Sequence, residues 1–240
     1  MCYTARMPDQ FTIYQQYADQ YDALTSYEDY EGHLYRALTA IRSFDRADVV
    51  EWGAGTGRVS ALIAPHARSI TACDLNDHML KVARTKLARR AGLTWQTVVA
   101  EHRHMPLPNR CADVALAGWT LGYFTSKYYA DCWQQVITQA IAQMQRVLRP
   151  GGTIIIIETL GTGATEPQPP HEGLAAYYRL LETELGFQAT WTRTDFKFDS
   201  LEQAATAISF FFGDEWADRV RENNWIILPE CTGIWWKQVS

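Results

Sequence analysis

The chain has 240 residues, 47% apolar and 20% charged, with nine Trp, nine Phe and twelve Tyr. This allows one large domain with a packed core and excludes a mainly disordered or fibrous protein. Twenty-two Lys and Arg against 27 Asp and Glu leave a formal charge of -5, which disfavours nucleic acid as the main partner.

The first 46 residues are helical in pattern, and Tyr14, Tyr17 and Tyr21 recur at spacings that share one helix face. Residues 47–52 (ADVVEW) predict a strand, 58–66 a helix, 69–73 a strand and 78–90 a helix. Residues 95–99 and 113–117 predict two more strands. A helix over 127–148 is stopped by Arg149-Pro150-Gly151-Gly152, and the β-branched stretch 153–158 predicts another strand. The Pro-rich stretch 161–173 reads as an adaptable loop. A strand over 187–198, helices over 200–224 and a strand over 225–239 complete the chain. Alternating strands and helices with largely apolar strands predict an α/β fold, a doubly wound, mostly parallel sheet. The N-terminal helices (1–46) and the insertion at 200–224 are expected to cover the end of the sheet where such folds bind ligands.

No apolar run approaches the ~18 residues that span a bilayer, and the N-terminal stretch lacks a basic-then-apolar secretory pattern. Five scattered cysteines (Cys2, Cys73, Cys111, Cys132, Cys231) form no C-x-x-C pair, which disfavours a disulfide framework or thiolate zinc site. The expectation is a cytoplasmic protein with no membrane partner and no metal.

The most informative segment is VVEWGAGTGRVS, residues 49–60, where Gly53, Gly55 and Gly57 follow a strand and precede a helix. Glycines there permit tight turning and close approach of a ligand to the backbone. The dinucleotide fingerprint G-x-G-x-x-G does not fit: its third position falls on Arg58 or Ser60. Twenty-one residues past Gly53, Asp74 ends the second strand, where a carboxylate can accept hydrogen bonds from both hydroxyls of a ribose, or cap the following helix. Glu101, at the end of the third strand, could accept from an exocyclic amine or stand solvated.

In order, Glu51-Trp52-Gly53-Ala54-Gly55-Thr56-Gly57, Asp74, Ala100-Glu101, Pro106, Pro108, Asp113 and Leu148-Arg149-Pro150-Gly151-Gly152 resemble the successive motifs of class I S-adenosylmethionine-dependent methyltransferases. The resemblance covers roughly residues 47 to 160. It implies a Rossmann-like domain over 47–240 and a seven-stranded sheet with one antiparallel strand, formed by 225–239 beside 187–198. It also implies S-adenosylmethionine as cofactor and S-adenosylhomocysteine as product. Carried over by position, Gly53, Gly55 and Gly57 would contact the methionine part and ribose, Asp74 the ribose hydroxyls, and Leu75 the adenine. Glu101, where the family usually has Asp, would bond the adenine amine, and the His102 backbone amide a ring nitrogen. Gly118 and Trp119 would flank the methionine arm, and Tyr21 would close over its carboxylate.

The implied reaction is an in-line displacement that rests on positioning the acceptor. Tyr14, Tyr17 or Trp119 could add cation-π attraction to the sulfonium, their alternative being plain packing. If the acceptor must lose a proton, Glu158 at the end of the fifth strand is the candidate base. Tyr14, Tyr17, His33 and His171 are candidate acceptor-binding residues. The [DNS]-P-P-[YFW] run of nucleic-acid amino methyltransferases is missing, as are the Cys pairs of cytosine-C5 enzymes. By elimination the acceptor is a small molecule, attacked through O or N. Rival readings are a non-catalytic S-adenosylmethionine-binding module, an aminopropyl transferase and an NAD(P)-dependent oxidoreductase. The last draws on a Tyr123-x-x-x-Lys127 pair that lacks its upstream serine. The chain is expected to be a monomer or a homodimer, with Trp235 and Trp236 a possible contact.

Overall fold

The computed structural model describes residues 10–126 and 131–239. β1 (Asp48–Trp52), β2 (Ser69–Asp74), β3 (Thr94–Val99), β4 (Ala112–Gly118) and β5 (Leu148–Thr162) lie parallel, joined through helical crossovers except between β3 and β4, where a loop over 100–111 makes the connection. β6 (Gln188–Arg193) stands at the far edge, and β9 (Glu230–Gln238) inserts antiparallel between it and β5. The order is β3-β2-β1-β4-β5-β9-β6, seven strands with one antiparallel, as the resemblance implied.

Period-two alternation makes this sheet two-sided. Along β5, Ile154 and Ile156 pack on one face and Ile155 and Ile157 on the other, and all four are fully buried. The first face is covered by α6 (Trp133–Val147) through Ile137, Ala140 and Met144, and by α7 (Glu172–Arg179) through Leu174 and Tyr177. The second face is covered by α3 (His33–Ile41), α4 (Arg58–Ile63) and α5 (Asp77–Leu87), through Leu38, Ile63 and Leu87. Strand order reverses between β1 and β4, so their C-terminal ends open a crevice.

Above that crevice sits a separate small core. Leu24 at the end of α2 (Ala18–Thr25) joins Ala205 and Ile208 of α8 (Leu201–Phe212), and Val220 of α9 (Asp214–Glu222). Phe196 of β7 (Phe196–Lys197) and Leu228 of β8 (Ile227–Leu228) complete it.

Four details depart from the sequence reading. The strand expected over 187–198 is broken after Arg193: β7 leaves the main sheet and pairs with β8. Asp195 sits at the break and takes the backbone N–H of Glu230 at 3.0 Å. The helix expected over 127–148 is described as α6, Trp133–Val147, with 127–130 outside the described residues. Arg149-Pro150-Gly151-Gly152 does not merely end it but lies within β5, where a bulge separates the Ala112–Leu148 pair from the Val114–Thr153 pair. Finally, the first 46 residues divide: α1 (Gln10–Gln16) and α2 lie over the crevice, while Leu34 and Leu38 of α3 belong to the sheet core.

Candidate active site

Each loop glycine has a different reason to be glycine. All three take positive φ: +61° at Gly53, +52° at Gly55 and +75° at Gly57. A Cβ on Gly53 would lie 2.1 Å from Thr120 Oγ1, and one on Gly57 would lie 2.9 Å from the Ala83 Cβ of α5. Gly53 thus lets the end of β1 touch the end of β4, and Gly57 lets α4 approach α5. A Cβ on Gly55 would meet only ordinary contact, with Met79 Cε at 3.5 Å, so its positive φ is what calls for glycine. Gly53 and Gly55 line a chamber of about 250 Å³; Gly57 does not.

Asp74 ends β2 beside this loop. Its Oδ2 accepts the Gly55 N–H and its Oδ1 the Asn76 N–H, both at 2.8 Å. A carboxylate has about four lone-pair positions, so both oxygens can still accept from a vicinal diol. The neighbouring Leu75 is 56% exposed, an apolar surface beside the carboxylate. Glu101 is held by Arg103 Nε at 2.8 Å and His104 Nδ1 at 2.9 Å. Those bonds keep its pKa below the usual glutamate value, despite an opposing desolvation effect that is the largest single contribution. The half-buried His102 ring is pushed down to about 4 by desolvation, so it is neutral at pH 7, and its Nε2 lies 2.9 Å from Thr120 Oγ1. Nine of the ten residues assigned to the cofactor by position line this chamber, Gly57 being the exception.

A second chamber of about 490 Å³ adjoins the first and shares with it Tyr14, Tyr21, Thr25, Arg58, Trp119 and Tyr123. Tyr14 meets Tyr21 edge-on with centroids 5.4 Å apart, and Phe211 of α8 lies 5.5 Å from Tyr21. Trp119 has a φ of +49°, a strained value for a non-glycine residue, and its N–H bonds the Ile157 carbonyl at 2.7 Å. Arg58 lies 4.3 Å over the Trp119 ring and 2.5 Å from Glu28, so a face of Trp119 holds a guanidinium that the sequence reading did not anticipate.

Glu158, 4% exposed, lines the second chamber and accepts the Gly122 N–H at 2.8 Å. Burial pushes it up to about 8, against the opposing pull of backbone N–H groups from Gly122, Leu121 and Thr120. His171 lines the same chamber, with Nδ1 accepting the Leu174 N–H at 3.3 Å as the cap of α7. Two expected acceptor residues line neither chamber. Tyr17 packs edge-on against Phe210 at 6.2 Å. His33 starts α3, with Nδ1 3.2 Å from the Arg193 carbonyl, and pins the N-terminal segment to β6. Lys127 of the oxidoreductase-like pair lies outside the described residues.

Sequence reasoning missed several lining residues. Glu51 is 2% exposed among the apolar residues Val49, Val50 and Trp52 of β1, lines the first chamber and is pushed up to about 7 by burial, with the Ser60 hydroxyl donating to it. A charge inside VVEW is a signal that sequence could have used. Glu28, Glu230, Phe211 and Phe212 converge on the second chamber from distant segments and carry no local signal. Among the described residues no cluster of three or more His, Cys, Asp or Glu could hold a metal ion.

An adenosyl cofactor fits the first chamber on the molecule's own terms. Its donor set pairs a diol-accepting carboxylate with a glycine backbone open to close approach. Thr56, also in its lining, has a buried Oγ1 with no hydrogen-bond partner, as expected of an atom that a ligand would satisfy.

Residues 50–156 match a methyltransferase domain. The ubiquinone/menaquinone biosynthesis C-methyltransferase of Ralstonia nicotianae is 27% identical over 152 residues, 61% of this chain and 58% of that protein. The demethylmenaquinone methyltransferase of Tropheryma whipplei is 24% identical over 179 residues, 74% of this chain and 66% of its own. The chain thus spans about three fifths of the length of these relatives. A methyltransferase from Aquifex aeolicus shares the fold, with a TM-score of 0.54 and 14% identity over 85% of this chain and 88% of that one.

Proposed function

From the premise that the chain belongs to the class I S-adenosylmethionine-dependent methyltransferase family, we propose that it transfers a methyl group to a small-molecule acceptor. One observation carries this reading: the chamber suited to the cofactor opens across Tyr14, Tyr21 and Trp119 into a second chamber with its own buried carboxyl group, Glu158. When bound, the cofactor would supply a methyl group on a sulfonium for in-line transfer to the acceptor, its sulfur serving as the leaving group that keeps the electron pair.

The chain's residues do the rest. Asp74 and the Gly55 backbone hold the nucleoside, with Leu75 against the base and Glu101 at its amine edge. Tyr14, Tyr21 and Phe211 exclude water from the junction, which strengthens charge interactions there. Glu158 takes the acceptor's proton where one must leave, and its raised pKa matches it to a weakly acidic group. The relatives named as C-methyltransferases extend the acceptor atom from O or N to carbon.

The test is a screen of small amines, phenols and activated carbon acids for S-adenosylhomocysteine formation. The expected result is turnover with one class, abolished by Asp74→Ala. Cofactor binding with no turnover by any class would leave the non-catalytic binding module as the better reading. An NAD(P) oxidoreductase is disfavoured by Arg58, which stands where a fingerprint would place its third glycine and instead stacks on Trp119.

A further inference from the structure

We propose that the second chamber takes an organic cation, an amine charged at or near the nitrogen to be methylated, and that Glu230 Oε2 is its anchor. This rests on the methyl-transfer reading above and names the acceptor class. Glu230 is 2% exposed and lines the chamber. Its Oε1 accepts the Thr159 hydroxyl at 2.8 Å, while its buried Oε2 has no hydrogen-bond partner. A buried carboxylate oxygen left alone is costly, so this atom marks where a donor from outside the chain belongs.

The balance of charge points the same way. Three carboxyl groups, Glu28, Glu158 and Glu230, line the chamber against one guanidinium, Arg58, which lies 2.5 Å from Glu28. Glu158 is met by backbone N–H groups, and Glu230 Oε1 by the Thr159 hydroxyl. Neither has a cationic side chain bonded to it. The remaining titratable side chains of the lining are Tyr14, Tyr21, Tyr123 and His171, and His171 Nδ1 is already an acceptor to the Leu174 N–H. With Glu158 and Glu230 held protonated by burial, an entering ammonium can be met by their ionisation, whereas a carboxylate or phosphate would meet three carboxyl groups with only Arg58 to pair with. Phe196, Phe211 and Phe212 in the wall offer rings for cation-π attraction.

Burial holds Glu158 and Glu230 up to about 8. An ammonium beside them would lower both values and bring the carboxylates into play at neutral pH. Before its nitrogen can attack, the ammonium must lose one proton, and Glu158 is the carboxylate placed to take it. Residues 28, 158, 211 and 230, which line this chamber, all lie outside the matched segment 50–156.

The test uses three probes on one skeleton: 3-phenylpropylamine, 3-phenylpropan-1-ol and 3-phenylpropionate, titrated calorimetrically with and without S-adenosylhomocysteine. The amine is expected to bind at least about tenfold more tightly than either analogue, a preference that largely disappears in Glu230→Gln. Equal or tighter binding of the alcohol or the carboxylate overturns the proposal, as does no binding of any probe at millimolar concentration. A preference that survives in a folded Glu230→Gln removes Glu230 as anchor. If that variant fails to fold, the wild-type comparison still decides the charge class. Failure of S-adenosylhomocysteine to bind counts against the methyl-transfer reading alone, because the probe comparison in the bare protein is a separate measurement.

Discussion

Glu158 connects burial, proton affinity and chemistry at one residue. A carboxyl group raised to about 8 in the folded chain, against about 4.3 unfolded, keeps a proton that the unfolded chain has lost. The folded state therefore loses stability as pH rises through that window and levels off above the folded pKa. Glu158→Gln, a neutral mimic of the protonated form, should show a melting-temperature advantage over wild type that widens from pH 5 to pH 8 and then stays constant. A constant gap across that range in thermal unfolding would mean that Glu158 is not held protonated. The catalytic counterpart runs the other way: a base must be ionised, so kcat/KM should rise with pH up to about 8, with this limb absent in Glu158→Gln.

At the scale of elements, the loop after β1 and the insertion α8–α9 serve different ends of the site. Gly53→Ala places a methyl group 2.1 Å from Thr120 Oγ1 at a positive φ, and should cost about 3 kcal/mol by urea unfolding. Gly92→Ala is the control, with a φ of +78° and open space around its Cβ, and should cost only about 1 kcal/mol. Equal losses would show that the contact with Thr120 is unimportant. Phe212 lines the second chamber but not the first. Phe212→Ala should therefore raise the acceptor KM several-fold and leave S-adenosylhomocysteine affinity within about twofold, whereas a matching loss in both would mean that the chambers are not separable.

Across the whole molecule, what could be read from the sequence follows the locality of the signals. β1, β2, β3 and β4 were legible because short apolar runs bounded by amphipathic stretches are local signals, and the residues lining the first chamber followed from family motifs that sit at the C-terminal ends of those strands. Trp119 lines the first chamber, but its positive φ and its guanidinium neighbour depend on packing that no local pattern encodes. His33 and Tyr17 misled because a histidine or tyrosine on a helix face looks alike whether it packs on backbone or lines a cavity. Glu28 and Glu230 are separated by two hundred residues of chain and meet only through the tertiary fold, as does the break after Arg193 that turns β7 toward β8.

The central claim, that the first chamber holds an adenosyl cofactor through Asp74, is tested most directly by calorimetric titration of S-adenosylmethionine, S-adenosylhomocysteine and NAD. Wild type and Asp74→Ala should be compared under identical conditions. Both adenosyl ligands should bind at micromolar concentration and NAD should not. The substitution removes two hydrogen bonds to a carboxylate, each worth about 1.5–3 kcal/mol, and should weaken adenosyl binding by at least about tenfold. NAD binding without adenosyl binding, or adenosyl affinity unchanged in Asp74→Ala, would contradict the account.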